Sequence, residues 1–356
     1  METLILGWYI YTTTNSVILL AIFGSFRFIG SLLSPWFGVA GDRWGRRKMM
    51  YMMRSLIMIL ALIIMTLSLL DMLKPYQVFV IAIFSGLVQP SDIVMRNSLI
   101  GDSVPDVLLM KATSFARIAH DSARIFGALV GASLFAWLGL GITYIFVVGI
   151  YVLSVCLTLG VSRAHPRKDN TGSSDIIQET QSLLGELKEG IAYIWESAPV
   201  LAIICLAFLA NLTAFPVSHG LMPYVAKEIL QIDQNGLGQL MAIFSVGAVF
   251  GSLILAVTRS QRHATRLMLV NLIAWYFMLA VFSQVETRYG ALIVLFLVGL
   301  AHSLAMTSMS AALLGVTDQM VRGRVMGVRV LAIYGVPLGL IGSGFLIEHF
   351  GFVSFI

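Results

Sequence analysis

Apolar runs of membrane-spanning length follow one another along almost the whole chain. Each is about 20 residues or longer, which is the length an α-helix needs to cross the hydrocarbon core of a bilayer. Because 58% of the 356 residues are hydrophobic and 12% are charged, no soluble core could bury all of these runs, whereas a bilayer accepts each as a helix. The runs lie at residues 16–40, 49–70, 76–100, 108–138, 141–161, 198–226, 236–258, 266–284, 289–316 and 325–348. The sequence therefore predicts an all-α membrane protein.

Two shorter apolar segments lie at the ends of the chain. Residues 1–12 are too few to span a bilayer, and residues 351–356 stop where a further helix should begin. No basic region precedes the first apolar segment, so a signal peptide is not expected. We therefore expect about ten whole helices, the tail of a first and the start of a twelfth, with the chain truncated at both ends.

A short polar loop between the first two long runs carries a distinctive pattern. It reads Gly38-Val39-Ala40-Gly41-Asp42-Arg43-Trp44-Gly45-Arg46-Arg47-Lys48. It resembles the loop between the second and third helices of major facilitator superfamily transporters, whose pattern is Gly-x-x-x-Asp-Arg-x-Gly-Arg-Arg. The likeness extends over nearly the whole chain. It implies two pseudo-symmetric helical bundles of the major facilitator fold, with a substrate site where the two repeats meet.

The basic residues lie mostly on one side of the predicted membrane. Lys and Arg cluster near residues 43–48, 163–168, 259–266 and 322–324, whereas the opposite loops hold little beyond Lys74, Lys227 and Arg288. Loops rich in Lys and Arg stay in the cytoplasm. We therefore expect a multi-pass protein of the inner (plasma) membrane with the Asp42 loop on the cytoplasmic side. The net charge of +5 is too small and scattered to indicate a nucleic-acid partner.

The longest polar stretch, residues 163–196, lies near the middle of the predicted architecture. Its first part is rich in Pro, Gly and Ser and should be flexible. Its second part places Leu183, Leu187 and Ile191 at helical spacing, which predicts an amphipathic helix. The sequence thus predicts an N-terminal bundle at residues 1–162, a cytoplasmic linker at 163–196 and a C-terminal bundle at 197–356.

The two predicted bundles share small motifs at equal spacing. Ala21-Ile22-Phe23 precedes Gly30-Ser31-Leu32, and Ala242-Ile243-Phe244 precedes Gly251-Ser252-Leu253 in the same way. A second set, formed by Asp106, Arg117, Gly127 and Gly139, recurs as Asp318, Arg329, Gly339 and Gly351. Two ordered sets on equivalent helices indicate an internal duplication.

Charged residues inside the apolar runs are confined to a few of them. Residues 55–70, 141–161 and 267–283 carry none, and the resemblance places them as the third, sixth and ninth helices, which face lipid. A charge at the centre of a helix costs about 2.5–3.5 kcal/mol on insertion scales, so each needs a partner or an aqueous cavity. The candidates for proton coupling and the substrate path are Arg27, Asp92, Arg96, Asp121, Arg124 and His302.

The acids among these candidates allow two interpretations. Asp92 and Arg96 are four residues apart, which places both on one helical face in the favourable order. Such an acid is either half of a static ion pair or a protonation site that loses its partner as the protein moves. Asp121 and Arg124 leave the same choice open. Arg27 has no acid on its own helix, so we expect it to meet Asp92, Asp121 or an anionic substrate.

Ionisable groups are scarce within the predicted spans of the second bundle. His219 and His302 lie in apolar runs, with Arg329 near a helix end. Histidine titrates near physiological pH and could carry the coupling proton. The alternative is a structural histidine held by hydrogen bonds, which is the common situation for a lone His in an apolar helix.

The resemblance implies a role for the Asp42 loop as a conformational latch. In the family, an acid at the position of Asp42 engages the eleventh helix and closes the cytoplasmic side. The run at 325–348 begins with unpaired N–H groups and the positive end of a helix dipole. The predicted latch consists of Gly38, Asp42, Arg43, Gly45, Arg46, Arg47 and Arg329. Under the alternative, in which the loop only fixes topology, Asp42 would have little role.

Further motifs indicate the direction and kind of transport. Residues 124–132 partly resemble the glycine-rich pattern of drug–proton antiporters, with Ala128 in place of its proline, and residues 221–223 and 322–327 resemble the branch of enterobactin and macrolide exporters. We expect proton-coupled efflux of a small amphipathic drug or siderophore by a lipid-embedded monomer without a cofactor. The alternatives are a lysophospholipid or metal-ion transporter of the same fold and a non-transporting membrane protein. No nucleophile–base spacing, P-loop or metal cluster indicates an enzyme.

Overall fold

The computed structural model describes residues 1–31, 45–103, 106–160, 191–257, 264–317, 325, 328–329 and 331–350. Helices account for most of these residues, and no strand occurs within them. The prediction of an all-α chain is confirmed.

Within the described residues, the first half of the chain forms five α-helices, of which the last contains a break. They are α1 (Glu2–Thr14), α2 (Val17–Phe26), α3 (Arg46–Leu69), α4 (Pro75–Ser103) and α5 (Asp106–Leu159). Helix α5 combines the predicted runs 108–138 and 141–161, and the change of direction falls at Gly139, where φ is 75°. A side chain would be strained at this angle. Glycine therefore allows one apolar segment to turn back into the next.

The described residues of the second half form five longer helices besides the short helical turn Met222–Tyr224. They are α6 (Ala198–Phe215), α7 (Gln234–Val257), α8 (Ala264–Phe282), α9 (Arg288–Val316) and α10 (Gly335–Phe350). Beyond α6 the chain continues through two wide turns, Pro216–Gly220 and Val225–Ile229. Prolines at 216 and 223 lack the N–H that an α-helix needs, so the regular hydrogen-bond ladder is interrupted there.

Seven segments of the described residues are long and apolar enough to cross a membrane. They are Arg47–Leu69, Ile125–Leu159, Ala198–Ile229, Gln234–Leu255, Ala264–Phe282, Arg288–Leu313 and Ala332–Phe350. Val17–Phe26 and Pro75–Gln89 are shorter apolar helices. The described part of the chain thus accounts for a portion of the predicted spans.

The uncharged runs 55–70, 141–161 and 267–283 expose apolar side chains. Helix α3 exposes Leu56 and Ile59, and helix α8 exposes Ile273 and Phe277. The part of α5 after Gly139 likewise exposes a row of aliphatic and aromatic residues. In water such surfaces would be unfavourable, whereas hydrocarbon accepts them. Their composition agrees with the predicted lipid-facing role of these helices.

The chain divides into two compact units that do not follow chain order. Unit 1 contains Met1–Arg167, Gly220–Ala242 and Gly344–His349, and unit 2 contains Lys168–His219, Ile243–Ser343 and Phe350–Ile356. Short pieces from the second half of the chain therefore belong to the unit that the first half builds. The predicted boundaries at residues 162 and 197 stay a prediction, since residues 161–190 with most of the linker lie outside the described ranges.

Each unit has its own apolar core. In unit 1, helices α1, α3, α4 and α5 contribute buried residues such as Ile5, Ile64 and Val78. In unit 2, α6, α8 and α9 contribute residues such as Val200 and Met309.

Backbone contacts at glycine join α2 to α4. A Cβ atom at Gly30 would lie 2.3 Å from the carbonyl oxygen of Leu87, and one at Gly86 would lie 2.0 Å from that of Phe26. Only glycine permits this approach, as in closely packed membrane helices generally.

The same contact recurs between α7 and α9 in unit 2. A Cβ atom at Gly251 would lie 2.6 Å from the carbonyl oxygen of Leu300, and one at Gly299 would lie 2.0 Å from that of Phe244. Gly251 is the residue that the sequence repeat pairs with Gly30, and Gly299-Leu300 matches Gly86-Leu87. The contact of Gly30 thus has a counterpart at Gly251, in agreement with the predicted duplication, whereas Phe244 corresponds to Phe23 and not to Phe26.

Candidate functional site

Part of the predicted site lies outside the residues that the structure describes. This applies to Gly38, Asp42 and Arg43, and to the side chains of Arg46, Asp92, Arg96, Asp121 and Arg124. The backbone places Asp92 and Arg96 on α4 and Asp121 and Arg124 on α5. The predicted residues with described side-chain positions are Arg27, Arg47, His302 and Arg329, together with Gly45.

Arg27 lies where α2 loses its regular helical geometry. Helix α2 ends at Phe26, and a 3₁₀ turn follows at Ile29–Ser31. The amide of Phe28 bonds to the carbonyl of Ser25 at 3.1 Å, which tightens the backbone at this point. The side chain of Arg27 is exposed and interacts electrostatically with Glu2 of α1.

Glu2 is the centre of a small polar cluster within unit 1. The hydroxyl of Tyr151 donates a hydrogen bond of 2.5 Å to the Glu2 carboxylate. Tyr144 lies two helical turns earlier on the same face of α5. It is 0% exposed, and its hydroxyl has no hydrogen-bond partner among the described residues. Tyr144 also interacts electrostatically with Glu2. We call Glu2, Arg27, Tyr144 and Tyr151 the Glu2 cluster.

Sequence reasoning does not single out Glu2, because residues 1–12 predict only an incomplete helix. Its partners on α5 lie in a run without charges, which indicates a lipid-facing helix. Two features of the sequence could have indicated the cluster. One is an acid, Glu2, in an apolar segment, and the other is the spacing of two helical turns between Tyr144 and Tyr151. The contact between Glu2 and Tyr151 is long-range, so spacing alone could not reveal it.

His302 lies in a box of aromatic rings inside unit 2. Its ring centroid is 4.7 Å from that of Trp275, 5.6 Å from that of Phe244 and 6.1 Å from that of Phe215. These rings come from α8, α7 and α6 respectively. Trp275 and Phe244 are 0% exposed. The box suits a neutral imidazole by packing and a protonated one by cation–π attraction.

The bases at the start of α3 bind the end of α5. Gly45 precedes α3 with φ 88°, which glycine adopts without strain. The Arg47 guanidinium donates a hydrogen bond to the carbonyl of Leu159, the last residue of α5. Two turns later, Arg54 donates a hydrogen bond of 2.7 Å to the hydroxyl of Thr158. Arg47 therefore joins two helices of unit 1, and its part in the latch stays a prediction.

Arg329, the second predicted half of the latch, is half-buried. The neighbouring residues Val325 and Val328 belong to the apolar core of unit 2. Since its predicted partner Asp42 lies outside the described ranges, the latch itself stays a prediction.

Two contacts between small residues join pieces of both halves of the chain within unit 1. A Cβ atom at Gly238 of α7 would lie 2.2 Å from the Cβ of Ala132 on α5. One at Gly344 of α10 would lie 2.9 Å from the Cβ of Ala21 and 3.3 Å from the carbonyl oxygen of Val17, both on α2. We call these two contacts the seam.

The two contacts of the seam are equivalents under the internal duplication. The repeat that pairs Ala21 with Ala242 pairs Val17 with Gly238. The repeat that pairs Gly127 with Gly339 pairs Ala132 with Gly344. In one contact Gly238 meets Ala132, and in the other Val17 meets Gly344. The same two repeat positions therefore meet twice, each time with one residue from each half of the chain.

A polar contact in unit 1 also joins the two halves of the chain. The ammonium of Lys227 donates a hydrogen bond of 2.7 Å to Oδ1 of Asn15. The same ammonium lies 5.1 Å from the ring centroid of Tyr11 and 3.9 Å from the carboxylate of Glu228. Tyr11 packs edge-to-face on Tyr224, with ring centroids 5.6 Å apart. The end of α1 is thereby bound to residues from the second half of the chain.

A family model described as the Major Facilitator Superfamily matches residues 3–340. The chain belongs to the Major Facilitator Superfamily. It is therefore a multi-span membrane transporter and not an enzyme, and the predicted family and fold are confirmed. Membership of this family is consistent with an inner-membrane location.

Relatives of known function and solved structures agree with this family. The multidrug efflux pump Tap of Mycolicibacterium fortuitum is 23% identical over 321 residues, which cover 88% of this chain and 76% of that protein. The nucleoside transporter NupG superposes with a TM-score of 0.72 at 15% identity, over 99% of this chain and 88% of that one. A bacterial homologue of the human lysosomal transporter Spinster superposes with a TM-score of 0.73 at 13% identity, over 98% of this chain and 78% of that one. At these identities the solved structures show a shared fold alone.

Proposed function

We propose that this transporter exports a small amphipathic molecule, such as a drug or siderophore, in exchange for protons. Membership of the Major Facilitator Superfamily establishes transport. The direction and the kind of substrate rest on similarity to a multidrug efflux pump and on the sequence motifs. The coupling ion rests on the ionisable residues placed within apolar helices.

The seam is the observation that best supports an alternating-access mechanism, in which the substrate path opens to one side of the membrane at a time. Its contacts join glycine and alanine, so the helix backbones approach closely without interlocking side chains. Little apolar area is buried at such residues, so separating them costs little free energy. Because the two contacts are equivalent under the duplication, we expect them to open and close together.

The position of the seam supports an outer gate. Gly238 lies near the start of α7, and Gly344 lies near the end of α10. In the sequence, each glycine lies toward the end of its helix that is away from the basic segments 259–266 and 322–324. If the basic loops are cytoplasmic, the closed seam separates the substrate path from the outside. The Asp42 latch, with Arg329 as a candidate partner, would close the opposite side in the other state.

The proposed proton path uses the ionisable residues inside the spans. These are Arg27, Asp92, Arg96, Asp121, Arg124 and His302. Each would be costly to bury without a function or a partner. An acid beside an arginine binds a proton more readily when that arginine moves away. Rigid-body movement of the bundles therefore provides a means to alternate between proton uptake and release.

Transport in proteoliposomes tests this function. The full chain would be reconstituted with an acidic lumen, and the uptake of ethidium and the change in luminal pH would be followed together. We expect a pH gradient to drive ethidium uptake, with protons leaving the lumen, and nigericin to abolish both signals. Ethidium flux that is unchanged by the gradient would contradict proton coupling.

Variants locate the coupling residues in the same assay. Asp92→Asn and Asp121→Asn remove one candidate proton site each, and Glu286→Gln in the exposed loop before α9 is a matched control. We expect at least one of the two aspartate variants to lose gradient-driven uptake while the control retains it. Retention by both would show that neither aspartate carries the coupling proton.

A further inference from the structure

The Glu2 cluster holds a carboxyl group inside an apolar helix bundle. Glu2 is half-buried at the start of α1, with the Tyr151 hydroxyl at 2.5 Å. An ionised carboxylate in such surroundings requires either opposite charge or hydrogen-bond donors. The cluster supplies both, since Arg27 acts on Glu2 electrostatically and Tyr151 donates to it.

The same cluster also accommodates the neutral carboxyl group. A phenol hydroxyl both donates and accepts hydrogen bonds. Tyr151 can therefore donate to the carboxylate and accept from the protonated acid without a change of partner. The hydroxyl of Tyr144 is a second group of this kind, fully buried and without a hydrogen-bond partner among the described residues. Each charge state of Glu2 thus finds suitable partners.

Four described groups act on Glu2 from the surrounding elements. They are the Met1 amino group, Arg27 on α2, and Tyr144 and Tyr151 on α5. The side chains of Asp92 and Arg96 on α4, and those of Arg117, His120, Asp121 and Arg124 on α5, lie outside the described residues. The described charges that act on Glu2 are positive, so they stabilise its ionised form, whereas burial among apolar side chains favours its protonated form.

We propose that Glu2 is a proton-binding site of unit 1, with Tyr151 as its hydrogen-bond partner in both charge states and Arg27 as its counter-charge. The inference rests on the proposed proton coupling and names a further residue that takes the proton. It assigns functions to two tyrosines in the part of α5 after Gly139, where the described helix carries no charged residue. Movement of α2 relative to α1 would alter the distance between Arg27 and Glu2, and would thereby change the affinity for the proton.

Infrared spectroscopy of the full chain in liposomes tests this site directly. Protonated carboxyl groups give a carbonyl stretching band that carboxylates lack. We expect a band in the wild type that weakens as the pH is raised and the carboxyl group ionises, that is lost in Glu2→Gln and that is retained in the matched control Glu286→Gln. A band of full intensity in Glu2→Gln would overturn the proposal.

A second variant keeps the test decisive if Glu2→Gln does not fold. Tyr151→Phe keeps the aromatic ring and removes the hydroxyl that bonds Glu2. We expect the same carboxyl band to remain and to move to higher frequency, because its hydrogen bond is weaker, with a shifted titration midpoint. A band in Tyr151→Phe with wild-type frequency and midpoint would overturn the proposal.

The outcome is separable from that of the proposed function. The carboxyl titration needs no substrate and no gradient, so it reports on Glu2 alone. Failure of gradient-driven ethidium uptake in the wild type, with a normal Glu2 band, would overturn proton-coupled ethidium export and leave the binding site in place. Normal gradient-driven uptake with no Glu2 band would overturn the binding site at Glu2 and leave proton-coupled export in place.

Discussion

Lys227 and Asn15 come from opposite halves of the chain and are joined by a hydrogen bond of 2.7 Å. Asn15 follows α1 with φ 49°, a left-handed conformation that asparagine adopts more readily than most residues. Its side chain is thereby turned toward the ammonium of Lys227, which also lies against the Tyr11 ring. The contact is polar, and Asn15 precedes Val17 of the seam by two residues. It therefore adds a directional bond to the packing of Tyr11 on Tyr224.

Replacing Lys227 should loosen the seam. Lys227→Met keeps most of the aliphatic stem and removes the hydrogen bond and the cation, which together are worth about 1 kcal/mol at a partly exposed site. We expect the open population to rise by roughly five-fold. A cysteine at Val17, which is 7% exposed beside Gly344, would report this as faster reaction with a water-soluble maleimide. The exposed native thiols of Cys156 and Cys205 would first be replaced by serine.

Lys74→Met is the matched control for this measurement. Lys74 is exposed in the connection between α3 and α4 and takes no part in the seam. Its replacement should leave the labelling rate unchanged. Equal rates in Lys227→Met and Lys74→Met would show that the hydrogen bond does not stabilise the closed seam.

Filling the glycine positions of the seam should also favour its open state. In Gly344→Ala the new Cβ would lie 2.9 Å from that of Ala21 and 3.2 Å from the Cα of Ile18, and Gly238→Ala is more crowded still at 2.2 Å. Overpacking of this kind costs about 1–3 kcal/mol, so we expect faster labelling of the Val17 probe and slower ethidium uptake. Gly342→Ala, on the same helix with open space around the new Cβ, should behave as the wild type. Slower uptake in Gly342→Ala would point to helix propensity and not to the seam.

The close helix contacts at Gly86 and Gly299 lie inside each unit. We expect them to affect the stability of the fold and not the opening of the seam. In Gly86→Ala and Gly299→Ala the new Cβ meets a backbone oxygen at 2.0 Å, and no side-chain rotation can relieve that clash. We expect each to lose about 1–3 kcal/mol of stability, measured as a lower midpoint of thermal unfolding in detergent. Gly149→Ala has no atom within 4 Å of the new Cβ and should gain about 0.5–1 kcal/mol from helix propensity. A similar midpoint for all three variants would contradict the proposed crossings.

The helices and the family could be predicted from the sequence because membrane length and apolar composition act locally. The boundary near Gly139 was visible as an interruption between two apolar runs, and its positive φ gives the physical reason. The predicted repeat also held, since Gly30 and Gly251 make the same backbone contact. The wide turn that begins at Pro216 was missed, because an apolar run that contains proline still resembles a regular helix.

The contacts of the candidate site could not be predicted in the same way. Arg27 lacks an acid on its own helix, and neither its sequence neighbours nor the repeat indicates Glu2. Arg47 belongs to the predicted latch, yet it donates a hydrogen bond to Leu159 at the far end of another helix. Such partners depend on how helices pack in three dimensions. A single sequence specifies which side chains need a partner and leaves open which residue supplies it.

Two substitutions of His302 separate packing from proton transfer. His302→Ala removes a ring that lies 4.7 Å from Trp275 and would leave a cavity, so we expect a loss of about 2 kcal/mol or more in thermal unfolding. His302→Phe refills the box and should restore most of that stability. Because phenyl carries no proton, gradient-driven ethidium uptake should remain impaired if His302 takes part in coupling as proposed. His349→Phe, an exposed histidine stacked on Phe345, should alter neither property. Wild-type uptake in His302→Phe would restrict this histidine to a packing role.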